Sequence, residues 1–240
     1  MRGLVRSRIS VFLLPAVLSI GLSLPAHASE LYSNIPADSV IGTINAWDIT
    51  NYGIADSFTI NGSVSVTGIT FYTWSASGDL PSGVEWSIAP APLVDPSDPS
   101  TLATGTASLT SIYQSTNGSY DIYANSFSIA PLNLSEGTYW LLFENGAVSG
   151  NANPLYWDES DGPSQAFNSA YGGPITSDTD GGCSAASGYC SQSFVIEGEA
   201  AESPVPEPAG LAELGAGAYL ALMYGGVLRR RLARALASRG

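Results

Sequence analysis

Lysine is absent, and arginine is confined to the two ends of the 240-residue chain: Arg2, Arg6 and Arg8, then Arg229, Arg230, Arg231, Arg234 and Arg239. Residues 9–228 carry no basic side chain, and the single histidine, His27, lies in a stretch patterned like a removable export signal. These absences argue against whole classes of chemistry. A Ser-His-Asp or Cys-His nucleophile, a Schiff-base lysine, a His-liganded metal and an arginine clamp on phosphate each need a residue that this stretch lacks. Nucleic acid is not expected as a partner, because phosphate neutralisation supplies most of that affinity and the formal net charge here is −13.

What is present at the two ends concerns targeting. Residues 1–28 divide into a basic start, an apolar stretch from Ile9 to Leu24 and Ala26-His27-Ala28, which reads as a cleavable signal peptide; the alternative is an uncleaved anchor. Export permits disulfides, and the only two cysteines, Cys183 and Cys190, are expected to form a structural staple rather than a redox pair, since the spacing is not Cys-x-x-Cys. Such a ring is worth roughly 2.5 kcal/mol on loop entropy. Residues 197–208 hold three prolines and four glutamates and read as an extended linker. Ala209 to Leu228 then gives 20 residues with one charge, Glu213, long enough for a transmembrane helix, and the arginines after it place the acidic domain on the outer side. A helix lying on the membrane, or packed in a core, is the alternative.

Pro206-Glu207-Pro208, a Gly/Ala-rich apolar span and the cluster Arg229-Arg230-Arg231 resemble the tripartite PEP-CTERM sorting signal of exopolysaccharide-producing Gram-negative bacteria. Glu213 interrupts the span, and nine residues follow the arginine triplet where family members usually stop sooner. The resemblance implies an exosortase, a membrane-embedded cysteine peptidase, as partner, with cutting near Pro-Glu-Pro. It implies an inner-membrane-anchored precursor and a final place at the cell surface or in the extracellular matrix. Physically, prolines on both sides of Glu207 keep the backbone extended and remove donors, so the site stays out of regular structure.

Residues 29–201 are enough for one domain with a substantial core. No sustained helical periodicity occurs there; short apolar runs alternate with Gly, Pro and Asn turns. Strands are expected at 40–47, 56–60, 64–74, 84–89, 107–113, 120–129, 137–144, 154–157 and 192–197. That pattern gives an all-β fold, a β-sandwich or jelly roll. Val64 and Val66 are out of phase with Ile69 and Phe71, and a β-bulge near Gly68 would restore the phase. Gly137 to Phe143, apolar on both faces, should be a central strand. The runs 56–58, 68–74, 137–141 and 156–158 resemble the uncharacterised β-sandwich ectodomains found with this sorting signal, which implies a fold and no activity.

Three constellations are candidate sites. Trp140, Tyr156 and Trp157 are candidates for stacking on sugar rings, with core packing as the alternative; Trp157, beside Asp158, Glu159 and Asp161, has the best claim to a surface. Asp178 and Asp180, and likewise the run 157–162, bunch carboxylates near glycine as calcium requires, against the alternative of a solvated acidic loop. Beyond that possible calcium no cofactor is expected. Glu144 and Asp158 illustrate the carboxylate pairs that a glycoside hydrolase would use, with no local signature to select them. The expected function is therefore an exported surface or matrix structural protein associated with exopolysaccharide and not an enzyme, with a glycan-binding module second and a polysaccharide hydrolase third. With 19 acids and no base from Ser29 to Pro206, mutual repulsion should raise carboxyl pKa values, and stability should rise as pH falls from 7 to 5.

Overall fold

A computed structural model of the protein describes residues 28–200, apart from 38–39, 93–94, 96, 171, 177–182 and 184–188. The signal peptide, Asp178, Asp180, the Pro206-Glu207-Pro208 motif, the 209–228 helix and Arg229, Arg230 and Arg231 lie outside the described residues. Fourteen strands are present: β1 (Ser29–Ser33), β2 (Ala46–Asp48), β3 (Ile54–Ile60), β4 (Val64–Ala76), β5 (Pro81–Ala89), β6 (Ala103–Ser108), β7 (Thr110–Asn117), β8 (Tyr120–Leu134), β9 (Gly137–Val148), β10 (Tyr156–Ser160), β11 (Ala166–Asn168), β12 (Gly173–Pro174), β13 (Ser191–Gln192) and β14 (Phe194–Ala200). No helix occurs among the described residues.

The chain is an all-β sandwich of two antiparallel sheets. The larger, eight-stranded sheet runs β1-β14-β4-β10-β13, with β8 on the other side of β4, β7 beyond β8, and β2 on β10. The smaller runs β12-β11-β3-β9-β5-β6, so the doubly apolar β9 is central, as expected. Alternation decides which side chains enter the core. Val84, Trp86 and Ile88 of β5 are buried while Glu85 points out, and of the buried Leu141 and Phe143 of β9, Phe143 meets Phe71 of β4 and Trp157 of β10 in one aromatic centre. Each such large side chain contributes about 1.5–3 kcal/mol by burial.

The bulge sits where the phase change required it. Along β4 the pairing with both neighbours slips between Val66 and Gly68, so that Val64, Val66, Ile69 and Phe71 are all buried. Gly198 of β14 faces this irregularity, and a Cβ there would lie 2.1 Å from the Ser65 carbonyl oxygen. Glycine is needed for close approach.

Several expected boundaries are corrected. The run 40–47 is strand only at Ala46–Asp48; Gly42 adopts a positive φ of 76°, and the Thr43 hydroxyl closes a turn on the Val40 carbonyl. The run 107–113 is two strands, because the chain leaves the smaller sheet after Ser108 and joins the larger at Thr110, with only Leu109 between. The expected linker at 197–208 is corrected over its first four residues, since Glu197–Ala200 belongs to β14 and pairs with β4. β1, β11 and β12 were not expected; they are short, and their long-range pairing holds them.

One close approach has a sharp consequence. A Cβ on Gly162 would lie 2.0 Å from the Asn34 carbonyl oxygen, a backbone contact that no rotamer change relieves. Gly162→Ala should cost about 2–4 kcal/mol, read as a lowered urea midpoint; a midpoint within error of wild type would show that the two segments part easily.

Candidate functional site

Buried carboxyl groups gather around the 190–194 segment, where the chain passes between the sheets. Asp56 on β3 is fully enclosed. Its Oδ2 accepts hydrogen bonds from Asn34 Nδ2 (3.0 Å), the Ser164 hydroxyl (2.9 Å) and the Gln192 backbone N–H (2.6 Å), and Oδ1 accepts one from the Ser57 N–H (2.7 Å). Asn34 in turn accepts the Phe194 N–H, and Ser164 bonds Ser191. Burial outweighs these donors and pushes the Asp56 carboxyl up to about 8. A hydroxyl can turn, so Ser164 is able to accept the carboxyl proton when it is present.

Asp158 on β10 holds the same segment from the other side. It accepts the Gly42 N–H (3.0 Å) and the Trp74 indole N–H (2.5 Å) on Oδ1, and the Ser193 hydroxyl (2.7 Å) on Oδ2. Burial raises it to about 6, against the pull of those donors. Next along the strand, Glu159 accepts the Trp47 indole N–H at 2.8 Å. Cys183 and Cys190 form the expected disulfide, both buried, with Cys190 the first residue of this segment.

The expected acidic loop at 157–162 is therefore a correction. Through Ser160 it is strand, and neighbouring side chains leave a strand on opposite sides. Asp158 and Glu159 are buried and spend acceptor oxygens on indole N–H groups. Glu159 also lies near both cysteine sulfurs, but those sulfurs are bonded to each other and offer no thiolate. Glu144 and Asp158 are not brought together either: Glu144 is on β9 in the other sheet, directly opposite Glu85. Burial, then the charges of Glu85 and Asp95, raise the Glu144 carboxyl. Glu144→Gln removes a like-charge pair across two strands and should raise the melting temperature by about 1–3 °C; a fall would show that another contact dominates there.

The three sugar-stacking candidates separate. Trp157 is 0 % exposed; its indole donates to the Ser193 carbonyl at 3.1 Å, and its ring lies against Phe143, Phe194 and Phe71. The surface expectation for Trp157 is thus overturned, because β10 turns this position into the core and the adjacent acids are buried too. Trp140 is half-buried on the outer face of the smaller sheet, edge-on to Phe167 at 5.0 Å. Tyr156 is on the larger sheet, where it meets residues that sequence reasoning did not single out. Tyr120, Trp74 and Tyr156 come from the adjacent strands β8, β4 and β10, with ring centroids 5.8 Å apart in both pairs. All three are half-buried, and Asp158 fixes the Trp74 indole from beneath. Only the alternation of β4 outward at Trp74 hinted at this cluster.

A concavity of about 630 Å³ lies between the edges of β6 and the far half of β8. Trp86 and Phe127 floor it, and Thr104, Thr106, Ser126 and Ser128 line it. No protein-family model matches the chain, and no curated protein matches it.

Proposed function

We propose that the protein is an exported surface or extracellular-matrix structural component, anchored as a precursor by residues 209–228 and handed to an exosortase at Pro206-Glu207-Pro208. The observation that supports the structural role is the use of the enclosed carboxyls: Asp56 of the smaller sheet bonds the Gln192 N–H of the larger, while Asp158 and Glu159 bond a hydroxyl and indoles that hold the larger sheet and the Ser193 segment in place. β14 carries the chain to Ala200, just before the proposed signal begins at 202, which is where a sorting tail should leave a folded unit. The disulfide suits an oxidising compartment.

Glu207→Ala tests the sorting half. Export should persist, because the signal peptide is intact, while C-terminal processing should stop; normal processing of that variant overturns the assignment.

A glycan contact is the second reading, favoured by the half-buried cluster Tyr120, Trp74 and Tyr156 on one sheet face. With no cation between residues 9 and 228, a neutral exopolysaccharide fits better than an anionic one. On a glycan array, Tyr156→Ala should remove a specific neutral-sugar signal; a signal that survives that change, or the absence of any, removes this reading.

A further inference from the structure

We infer that two copies of this chain associate edge to edge through β7, pairing antiparallel about a two-fold axis to continue the larger sheet. This goes beyond the proposed sorting and matrix role and does not rest on it.

β7 is bonded to β8 alone, so its far edge has no strand partner among the described elements. Such an edge templates pairing with another chain unless it is blunted by lysine, proline, short length, inward charge or a bulge. The sequence of β7, Thr-Ser-Ile-Tyr-Gln-Ser-Thr-Asn, has eight residues, no charge and no proline. One bulge is present, between Tyr113 and Ser115. It leaves Thr110 to Tyr113 as a straight run, and there Ile112 is 62 % and Tyr113 55 % exposed. Leu80 is exposed nearby, next to Pro81, whose carbonyl accepts the Ser111 hydroxyl at 3.0 Å. Tyr113 packs edge-on to Tyr123 at 5.9 Å, which widens the apolar surface on that face.

The charge pattern names the partner as a second copy. The chain carries a net −13, yet between Asp98 and Glu136 its only charged residue is Asp121. That carboxylate is occupied at the hairpin end by the Gly78 N–H and the hydroxyls of Thr116 and Ser77. Faces that carry these acids would set acid against acid in a two-fold pair, whereas β7 carries no charge, and an isologous antiparallel contact there sets the Ile112 and Tyr113 of each against the other. Because the straight run is short, the contact is small and association falls in the micromolar range or weaker.

The test is sedimentation of the full chain in a non-ionic detergent with its contribution matched out, from about 1 to about 500 µM protein. Wild type should self-associate with concentration, and more so at 1 M than at 0.1 M NaCl, which screens the repulsion. Ile112→Lys should weaken the dimer at least about tenfold, and Tyr113→Ser, which leaves the edge uncharged, should weaken it too and decides the matter if Ile112→Lys fails to fold. Tyr52→Lys, at a residue 45 % exposed in the turn before β3, where the next residue Gly53 bonds Ser169 beside the smaller sheet, is the charge-matched control and should change nothing. A chain that stays monomeric over the range, a dimer that survives both β7 substitutions, or equal weakening by Tyr52→Lys overturns the inference. Failure of the Glu207→Ala test would leave it untouched.

Discussion

The melting temperature of the protein should be higher at pH 5 than at pH 7, by on the order of 10 °C. Asp56 is raised from 3.8 to about 8 and Asp158 from 3.8 to about 6. Both folded values lie above the unfolded ones, so the folded state binds more protons. The stability this supplies is complete below about pH 4 and is lost as pH rises through 6 and then 8. Between pH 7 and pH 5 Asp56 contributes on the order of 2–3 kcal/mol and Asp158 about half of that, so that burial of the two supplies roughly 4 kcal/mol. Asp95, Asp98 and Asp121 have lowered values, through hydrogen bonds led by Ser97, Ser100 and Gly78. They are ionised in both states from pH 5 to 7, so they do not oppose the trend; their stabilisation is lost only below about pH 4. Thermal melts at pH 8, 7, 6 and 5 decide the matter, and a flat or inverted profile contradicts the assignment of these two groups.

Asp56→Ala should be the most damaging single change described, costing roughly 3–5 kcal/mol. It removes the shared acceptor of three buried donors, from Asn34, Ser164 and Gln192, that belong to three other segments of the chain. Urea unfolding should show the midpoint falling with the slope unchanged, and the variant should also lose most of the gain in stability from pH 7 to 5. A wild-type midpoint, or an undiminished pH profile, would show that the carboxyl is not what joins these segments.

The direction of the pH effect was legible from composition, but its cause was not. A chain with 19 acids and no base from Ser29 to Pro206 suggests repulsion among surface charges, whereas the two largest shifts come first from burial. Nothing in the run Trp157-Asp-Glu-Ser-Asp161 announces that burial. Its partners are Gly42, Trp47, Trp74 and Ser193, residues far along the chain, so a segment with three acids looks like surface until the sheet is assembled. The bulge at Gly68 was readable because phase is a local property: Val66 and Ile69 cannot both face inward on a regular strand. The centrality of β9 was readable for the same reason. The split at Leu109 was not, since alternation continues through it and only pairing shows that the strand changes sheets. At the candidate platform, Tyr156 was visible as an aromatic, but Tyr120 and Trp74 become its neighbours only through the registers of β8, β4 and β10.

The intact mass of the protein as the producing cell delivers it tests the central claim most directly. The account predicts a chain beginning near Ser29, carrying the Cys183–Cys190 disulfide and ending close to Pro206-Glu207-Pro208; a delivered chain that still runs through Arg229-Arg230-Arg231 to Gly240 would contradict it.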